Sequence, residues 1–591
     1  MSNSMENTGP KLERDVGLYA IAFLAVPISV VAVYTQNRNL LILIYLIFGL
    51  TALLGGILAE SKSRKYQDRF FLAIITAIGL SLLLSTSFSS SFLQGWDIHG
   101  EYAIFLQVSK SGKWQPTELL GYNSVLSVGI LPAVLSELTG LDGISIFKAI
   151  FPLVYGAVVP LLYKFYRQIL SPSGSFLSVF LVVAYHSFYI EYIALARQEV
   201  AELLFVLALL LLFSIRKHPR NSKLIAILML TVGITVSHYS MAYLYLSLLI
   251  LSFFLGWIFG KMSRLVDVYV LAIIGAIIML WYGFLVVGGQ DLANLVYLIS
   301  TIFTANLLDL FSRPPVVSQA LGFGVLPGLL HGVNRLTYYA LNLALAIGFL
   351  VFGLKRDKDA SQRRMMHTMT YGMLWLGAFV ALPVFGFALG YTRMYHIALL
   401  LVSPCFVYGA DWLGSKARTT FSAVTRFPRV ARSNKHVLAA IILFSFLLFD
   451  SGWMWAVTMD APTSPVLDGQ RLRDRVPGAY FSYYTVSQDV AGAKWIRPQL
   501  SGNPLLCSDF GSGQYVLTSY GEIPRGSEDV SRSDFVWGCD LHSYVYLSVV
   551  NRLYGVAITY NGTMPISSFV LGLNEKNLIY CNGGTAIYGF D

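Results

Sequence analysis

Long apolar segments recur along almost the whole of this 591-residue chain. That feature constrains the fold more than any motif does. In hydrocarbon every backbone N–H and C=O must be paired within the chain, so a spanning segment is a helix of about 20 apolar residues, range about 17–25. By that rule the sequence predicts about 13 spans. They fall near 17–36, 39–59, 70–90, 143–168, 175–190, 199–214, 222–237, 240–260, 266–288, 336–354, 369–390, 395–413 and 437–457, of which 175–190 and 199–214 are the shortest. Composition agrees: 55% of residues are hydrophobic and 13% charged, where a soluble chain carries about 25% charged residues. The expected fold class is a polytopic α-helical membrane protein with a small C-terminal α/β or α+β ectodomain. The N-terminal stretch MSNSMENTGPKLERD is polar, with no short apolar core before a cleavage site. It reads as a cytoplasmic tail, residues 1–16, rather than a removed leader.

Lys and Arg set the expected orientation, because cytoplasmic loops are enriched in them. One set of loops holds Lys62, Arg64 and Lys65; Arg216, Lys217, Arg220 and Lys223; Lys355, Arg356, Lys358, Arg363 and Arg364; and Arg418, Arg426, Arg429, Arg432 and Lys435. The alternate loops are poor in them. The alternation keeps its parity from end to end, placing the N-terminus inside the cytoplasmic membrane and the C-terminus outside. The net charge of +10 therefore reflects topology. Nucleic acid is not an expected partner, since the basic loops lack interleaved aromatics and a domain to carry them.

With that parity, residues 91–142, 190–198, 289–335, 391–394 and 458–591 face outside. In the first outer loop, residues 101–109 suit a short helix. In NSVLSVGILPAVLSELTG, Val125, Val128, Leu131, Leu135 and Leu138 recur at helical steps, predicting an interfacial helix interrupted or kinked near Pro132. Within the second outer region, 289–335, residues 291–330 read as an interfacial or re-entrant helix over an outer cavity. After residue 457, PTSPVLDGQRLRDRVPG reads as a linker and SQDVAGAKWIR, 487–497, as a helix. PLLCSDF, QYVLTSYG, DFVWGCD and NLIYCNGGTAIYGF read as short strands around Gly-rich turns. Cys405 lies within a span; Cys507, Cys539 and Cys581 allow one disulfide and one free thiol, and their long spacings do not suit zinc. Asn561–Gly562–Thr563 is an N-glycosylation pattern.

Three polar clusters share the outer side. The first is GWDIHGEY, Gly95 to Tyr102, with Asp97, His99 and Glu101. If helical, Asp97 and Glu101 share a face at i, i+4; if extended, all three do. Two carboxylates and an imidazole can serve as a general base for an acceptor hydroxyl, or hold a divalent cation such as Mg or Mn. The plainer alternative is an N-capping Asp with solvated neighbours. The second cluster, YHSFYIEYIALARQEVAE, holds His186, Glu191, Arg197, Glu199 and Glu202; here the structural alternative pairs Arg197 with Glu199 or Glu202. The third, GYTRMYHIALLLVSP, puts Arg393 at a span mouth beside Tyr391, Tyr395 and His396. A guanidinium there suits phosphate, while simple snorkelling is the alternative. His238, beside Tyr239, ends another span and reads more readily as a satisfied histidine.

These features resemble the GT-C superfamily of membrane glycosyltransferases. GWDIHGEYA resembles the acidic opening of the first outer loop in protein-mannosyl, aminoarabinose and oligosaccharyl transferases. LPAVLSELTG, followed by a span and the basic turn Lys164 to Arg167, is similar to the segment after it. TRMYHIALLLVSP resembles the late Arg-Tyr…Pro start of a span. The whole chain, with its NGGTAIYGF terminus, is most similar to an archaeal group of predicted membrane proteins of this architecture. The resemblance covers residues ~70–457 by topology. It implies a polyprenyl-phosphate-linked sugar donor used on the outer face, among membrane lipids, with a glycan, lipid or protein acceptor. Asp97 would be the general base, with Glu101 as a second catalytic carboxylate. Arg393 and Arg197 would hold the lipid phosphate, and His99, Glu191, Glu199, His238 and His396 would line the substrate site. Two departures stand out: two extra spans precede the usual first one, and Asp-Ile-His-Gly-Glu replaces an adjacent acidic pair. The competing expectations are a flippase or exporter of lipid-linked glycans, and a membrane-anchored structural or receptor protein.

Overall fold

The structure is a computed structural model describing residues 9–57, 64–115, 122–213, 220–259, 265–286, 300, 328–355, 358–381, 390–425, 435–460, 463–500, 505–523, 530–560 and 562–590. The expected segment 289–335 and Asn561 fall largely or wholly outside these residues.

Each expected span overlaps helix over most of its described residues. Among those residues seven helices are long and apolar enough to cross a membrane singly: Arg38–Gly56, Gln67–Ser87, Gly143–Tyr166, Tyr239–Ile258, Val268–Leu285, Leu329–Leu354 and Tyr391–Thr420. The pair Pro172–Ala184 and Ser187–Ala194, bent by 56°, is long and apolar enough only when taken together, as a broken span or a re-entrant loop. This pair covers the short expected span 175–190, with Tyr185 and His186 at the break. The other expected spans lie on helices with shorter apolar stretches, such as Ala22–Tyr34, Asn221–Ser237 and Val437–Asp450, or with buried charge. Ala196–Phe213 is of the last kind, with Arg197, Glu199 and Glu202 in its first two turns. The span expected over 437–457 stops at Asp450, whose carboxylate accepts from His186 and Tyr338. The chain then turns through Gly452 at φ +81°.

In lipid there is no hydrophobic drive between helices, so close backbone approach and small residues hold them together. Leu329–Leu354 and Tyr391–Thr425 show this most strongly. A Cβ built on Gly348 would lie 1.7 Å from the Cys405 carbonyl oxygen, and one on Gly409 would lie 1.8 Å from that of Ala344. Ala344 and Gly348 on one helix, Cys405 and Gly409 on the other, thus make two facing small-residue pairs four apart. Cys405 is packed at this crossing, as expected. Away from the C-terminal domain, Arg167 pairs with Asp68, and Asp411 with His436 at 2.9 Å.

The expected interfacial helix is shorter than its apolar pattern. It runs Ile130–Thr139, with Pro132 in the first turn, where a missing N–H costs nothing. The apolar pattern is thus interrupted just before Pro132 rather than continued through it. Val125 and Val128 precede it in turns and are buried.

Among the described residues of the C-terminal region are seven short strands: β1 Leu505–Ser508, β2 Ser531–Asp534, β3 Ser543–Leu547, β4 Val556–Thr559, β5 Gly562–Pro565, β6 Asn577–Cys581 and β7 Ala586–Gly589. Five of them make a mixed sheet of order β2-β1-β3-β7-β6, while β4 and β5 form a separate hairpin. Strand β1 is parallel to β2 and β3, whereas β7 is antiparallel to β3 and β6. Four expectations change here. DFVWGCD leaves strand β2 at Asp534 and continues as a 3-10 turn, Phe535–Trp537. QYVLTSYG is helical, packed by Val516 and Leu517 under the sheet. The expected linker forms helices Pro465–Arg475 and Pro477–Tyr483. The first is capped by Ser464, and its buried Asp468 faces Arg38 at 3.3 Å. Strand β3, an alternating SYVYL, lies outside the expected strands. The helix Ser487–Ile496 is as expected. Cys507 and Cys539 form the disulfide and Cys581 is free.

The sheet domain is not tethered loosely. Leu93, Ile98, Tyr102 and Phe105 of the first loop share one apolar core with Val490, Ile496, Leu506, Val516 and Tyr520. Lys110 pairs with Glu522, and the Leu93 N–H donates to the Tyr520 phenol oxygen at 2.8 Å.

Placing a side chain at Gly348 must push apart backbones that are in contact. Gly348→Val is expected to destabilise the folded protein by ~1–3 kcal/mol, the usual cost of overpacking. Thermal unfolding in detergent checks this, and an unchanged midpoint would show that the two helices do not meet as described.

Candidate functional site

The site begins with GWDIHGEY. Gly95 sits at φ +88°, and a Cβ on it would fall 2.3 Å from that of Ala194. Its N–H donates to the Tyr483 carbonyl at 2.8 Å. This turn opens the helix Asp97–Ser111, so the helical alternative holds. Asp97 is the first helical residue, not the N-cap, and Glu101 lies one turn on along the same face.

Both carboxylates meet Arg197. Its Nη1 donates to Glu101 Oε1 at 2.7 Å and its Nη2 to Asp97 Oδ2 at 3.0 Å. Arg197 is the second residue of Ala196–Phe213, so Glu101 also faces the backbone N–H groups of Ala196 and Arg197 at that helix start, which favour its ionised form. A carboxylate is well placed there, facing the positive end of the helix dipole. The Arg197 guanidinium lies over the Tyr122 ring at 4.2 Å. Gly100 admits that ring, since a Cβ would fall 2.4 Å from it. The structural alternative that paired Arg197 with Glu199 or Glu202 is therefore replaced by pairing with the loop.

Arg393, in the first turn of Tyr391–Thr425, donates from Nη1 to the same Asp97 Oδ2 at 3.1 Å. Two guanidinium groups thus converge on one carboxylate oxygen. The centre is graded in depth: Glu101 and Arg197 side chains are 0% and 4% exposed, Asp97 and Arg393 23% and 24%. Burial pushes the Asp97 carboxyl up, but Arg197 and Arg393 together outweigh it and hold it below the ordinary range. For Glu101 burial wins over Arg197, and the carboxyl is pushed up to about 7.

The other expected residues divide between this centre and its surroundings. Glu191 accepts from Ser187 at 2.6 Å and from Thr392 at 2.7 Å, tying the bent pair to the residue beside Arg393. His238 is buried at the start of Tyr239–Phe259, where its Nδ1 accepts from the Met241 N–H at 3.4 Å. Burial, with Arg197 and Arg393 nearby, keeps its imidazole neutral. His396 shares Glu202 Oε1 at 3.2 Å with Tyr155, which donates at 2.8 Å, in a buried group below the centre. Glu199 is buried, and neither carboxylate oxygen has a partner among the described residues. His99 turns away from Asp97 and Glu101. Its Nδ1 meets Ser519 at 2.8 Å in the C-terminal domain, and burial pushes the imidazole down to about 3. It is a neutral joint between the loop and that domain.

Sequence reasoning missed Tyr122, Tyr155 and Thr392. Thr392 stands beside Arg393 in a quoted motif; the tyrosines carry no signal among 35 in the chain. The facing carboxylate oxygens are taken by guanidinium groups. Among the described residues no group of three or more His, Cys, Asp or Glu is placed to hold a metal ion.

Fold and site together define a polytopic helical membrane protein with a paired-charge centre where its bundle meets a small mixed-sheet domain. The chain belongs to the family described as predicted membrane protein (DUF2206), whose model matches residues 223–588. No curated protein sequence matches it. Among solved structures it is similar to the oligosaccharyltransferase of Archaeoglobus fulgidus in complex with zinc and sulfate. Identity there is 10%, over 81% of this chain and 68% of that one, with a TM-score of 0.45. It is also similar to the arabinofuranosyltransferase AftD from Mycobacteria, at 15% identity and TM-score 0.39, over 76% of this chain but only 31% of that one's length. A third similarity is to ArnT from Cupriavidus metallidurans, at 14% identity and TM-score 0.35, over 88% and 96% of the two chains.

Removing one partner of a buried ion pair strands the other, at ~3–5 kcal/mol. Arg197→Ala is expected to destabilise by that order. The sign of its pH dependence follows from Glu101. A carboxyl raised in the fold costs nothing below its unfolded value of about 4.3, and the cost grows until the folded value is passed. In the native protein the growth ends near pH 7. Without Arg197 it continues higher, so the deficit of the variant should widen above pH 7. Thermal unfolding at a series of pH values checks this, and a constant deficit would show that Arg197 does not compensate Glu101.

Proposed function

We propose that the protein is a membrane glycosyltransferase that moves a sugar from a polyprenyl-phosphate-linked donor to a glycan, lipid or protein acceptor at the outer face of the cytoplasmic membrane. The observation that carries this reading is the meeting of Arg197 and Arg393 on a single carboxylate oxygen of Asp97, with Asp97 and Arg393 partly open and the rest buried. It is supported by the resemblance of GWDIHGEYA and TRMYHIALLLVSP to the GT-C superfamily. Those two motifs lie far apart in the chain, and the contact between Asp97 and Arg393 joins them across 296 positions.

The chemistry follows from the charges. A guanidinium offers five donors in a planar fork, and such a fork matches phosphate oxygens. The donor phosphate binds Arg393, drawing it from Asp97. Losing one of its two cations makes Asp97 more basic. The acceptor hydroxyl oxygen then attacks the anomeric carbon, the bond from that carbon to the phosphate oxygen breaks, and the hydroxyl proton passes to Asp97. Polyprenyl phosphate leaves with its charge held by Arg393 and Arg197. Glu101 keeps Arg197 in place and touches neither substrate.

General acid–base groups contribute ~10²–10⁴-fold. Asp97→Asn should lower transfer by that order with protein levels unchanged, measured with a radiolabelled polyprenyl-phosphate sugar in membranes and by mass spectrometry of surface glycans. Arg393→Ala should chiefly raise the KM for the donor. Normal product from Asp97→Asn would sink the assignment.

A further inference from the structure

Arg364 lacks the partners that other guanidinium groups of the fold have. It lies in the second turn of Ala360–Ala381 and is 7% exposed. Its Nε and Nη1 are covered and have no hydrogen-bond partner among the described residues, so the guanidinium meets the surface by its Nη2 edge. Asp359, the carboxylate nearest in the described sequence, accepts from the Gln362 N–H at 2.8 Å and caps its own helix instead. Burial alone acts on the charge of Arg364, with no carboxylate to offset it. Elsewhere acids are supplied: Arg197 has Glu101 and Asp97, Arg167 has Asp68, and Arg38 has Asp468.

The neighbours of Arg364 add positive charge rather than remove it. Lys223, in the first turn of Arg220–Ser237, is close enough to repel it. The Lys223 Nζ has the Leu212 carbonyl at 3.5 Å, past the usual range of about 2.7–3.2 Å. His367, one turn on from Arg364, is buried, meets Ser252 through Nδ1 at 3.2 Å and brings no negative charge. Two cations from two helices thus face one another without an anion. Covered charges are retained where partners surround them, and a buried polar group without one calls for an explanation.

Position and chemistry name the missing partner. Lys223 is the second residue of the expected span 222–237, and Arg364 lies just before the expected span 369–390. Both stand where hydrocarbon gives way to headgroups, on the side of the Lys- and Arg-rich loops. Basic pockets between helices at that level take anionic headgroups. A guanidinium edge matches phosphate oxygens, and an ammonium adds a point charge. We propose that Arg364 and Lys223 together hold a phosphate group at this face, carried by an anionic lipid or by a soluble phosphate compound. The site is separate from the Asp97 centre. His238, which feels the charge of Arg197, lies just past the far end of the Lys223 helix, about 22 Å away along its axis. Binding here therefore does not rest on the transferase reading.

The test uses the full-length protein in detergent, with dioctanoyl phosphatidylglycerol, dioctanoyl phosphatidylcholine and inorganic phosphate as probes. Thermal midpoints and native mass spectrometry of bound lipid are the readouts. Phosphatidylglycerol should stay bound and raise the midpoint with its concentration, as a ligand of the folded state does. Phosphatidylcholine, whose own choline balances its phosphate, should bind more weakly. Arg364→Leu should weaken phosphatidylglycerol by about tenfold, the loss of one charge-assisted hydrogen bond, and Lys223→Gln should weaken it too. Both variants should fold, since neither strips a partner from a buried acid. Arg393→Ala should bind as the native protein does, which sets this site apart from the donor's. Phosphatidylglycerol that inorganic phosphate does not displace assigns the site to a lipid headgroup. Inorganic phosphate that by itself raises the midpoint, in the native protein but not in Arg364→Leu, assigns it to a soluble phosphate. Binding of neither probe, equal binding of phosphatidylcholine, or binding indifferent to both variants would overturn the proposal.

Discussion

The bond network around Arg197 is the interaction on which the rest of this end of the molecule depends. A cation this deep is costly to desolvate and is retained only where partners surround it. Arg197 has Glu101 and Asp97 at hydrogen-bond distance and the face of Tyr122 beneath it. Those three partners come from the first loop, whereas Arg197 itself starts a helix of the bundle. One side chain therefore fixes a whole loop helix against the bundle. The fork geometry matters, because a lysine ammonium does not span two carboxylates in a plane. Gly100 belongs to the same arrangement, since any larger residue would displace the ring that backs the guanidinium.

The loop helix is held from its other side by the C-terminal domain. Its apolar face enters a core shared with the sheet, and His99 reaches Ser519. The two faces of one 15-residue helix thus do different work: the carboxylate face meets the bundle and the His99 face meets the sheet domain. This division explains why His99 is kept neutral. A charged imidazole in that apolar joint would face no carboxylate to balance it, and burial alone pushes it down to about 3. Arg38 with Asp468, and Gly95 with Tyr483, add contacts between bundle and C-terminal region, so the loop is clamped rather than covered.

What was legible in the sequence follows from the range of the forces involved. Spans are written locally, as length and apolarity, and every expected one overlaps helix over most of its described residues. The Asp97–Glu101 pairing was legible because i, i+4 on a helix is a local rule. The partner of those carboxylates was not, since Glu199 and Glu202 lie nearer Arg197 in sequence and the fold chose residues 96 and 100 positions away. Similarly, Val125 and Val128 fit the helical period but are drawn into turns by the core shared with the sheet. In the expected linker, Ser464 followed by Pro465 is a helix start that the surrounding charges obscure. QYVLTSYG has strand-like composition, yet the preceding Asp509 caps a helical turn and tertiary burial decides for the helix.

The charge balance of the centre has a consequence for any anion that binds there. Asp97, Glu101, Arg197 and Arg393 sum to zero when all are ionised. An arriving phosphate leaves an excess of negative charge in a partly buried place, and the centre regains balance most directly by gaining a proton. Glu101, pushed up to about 7, is the easier group to protonate in the resting state. Its proton, however, lies at the buried end of the pair, 0% exposed. Asp97 is the carboxylate at the open end, and it becomes the better acceptor once the phosphate has engaged Arg393. In the proposed transfer the missing proton comes from the acceptor hydroxyl itself. The negative charge this proton leaves behind ends on the polyprenyl phosphate, so protonation of Asp97 offsets the charge gained by the leaving group, beside the two cations that share its carboxylate oxygen.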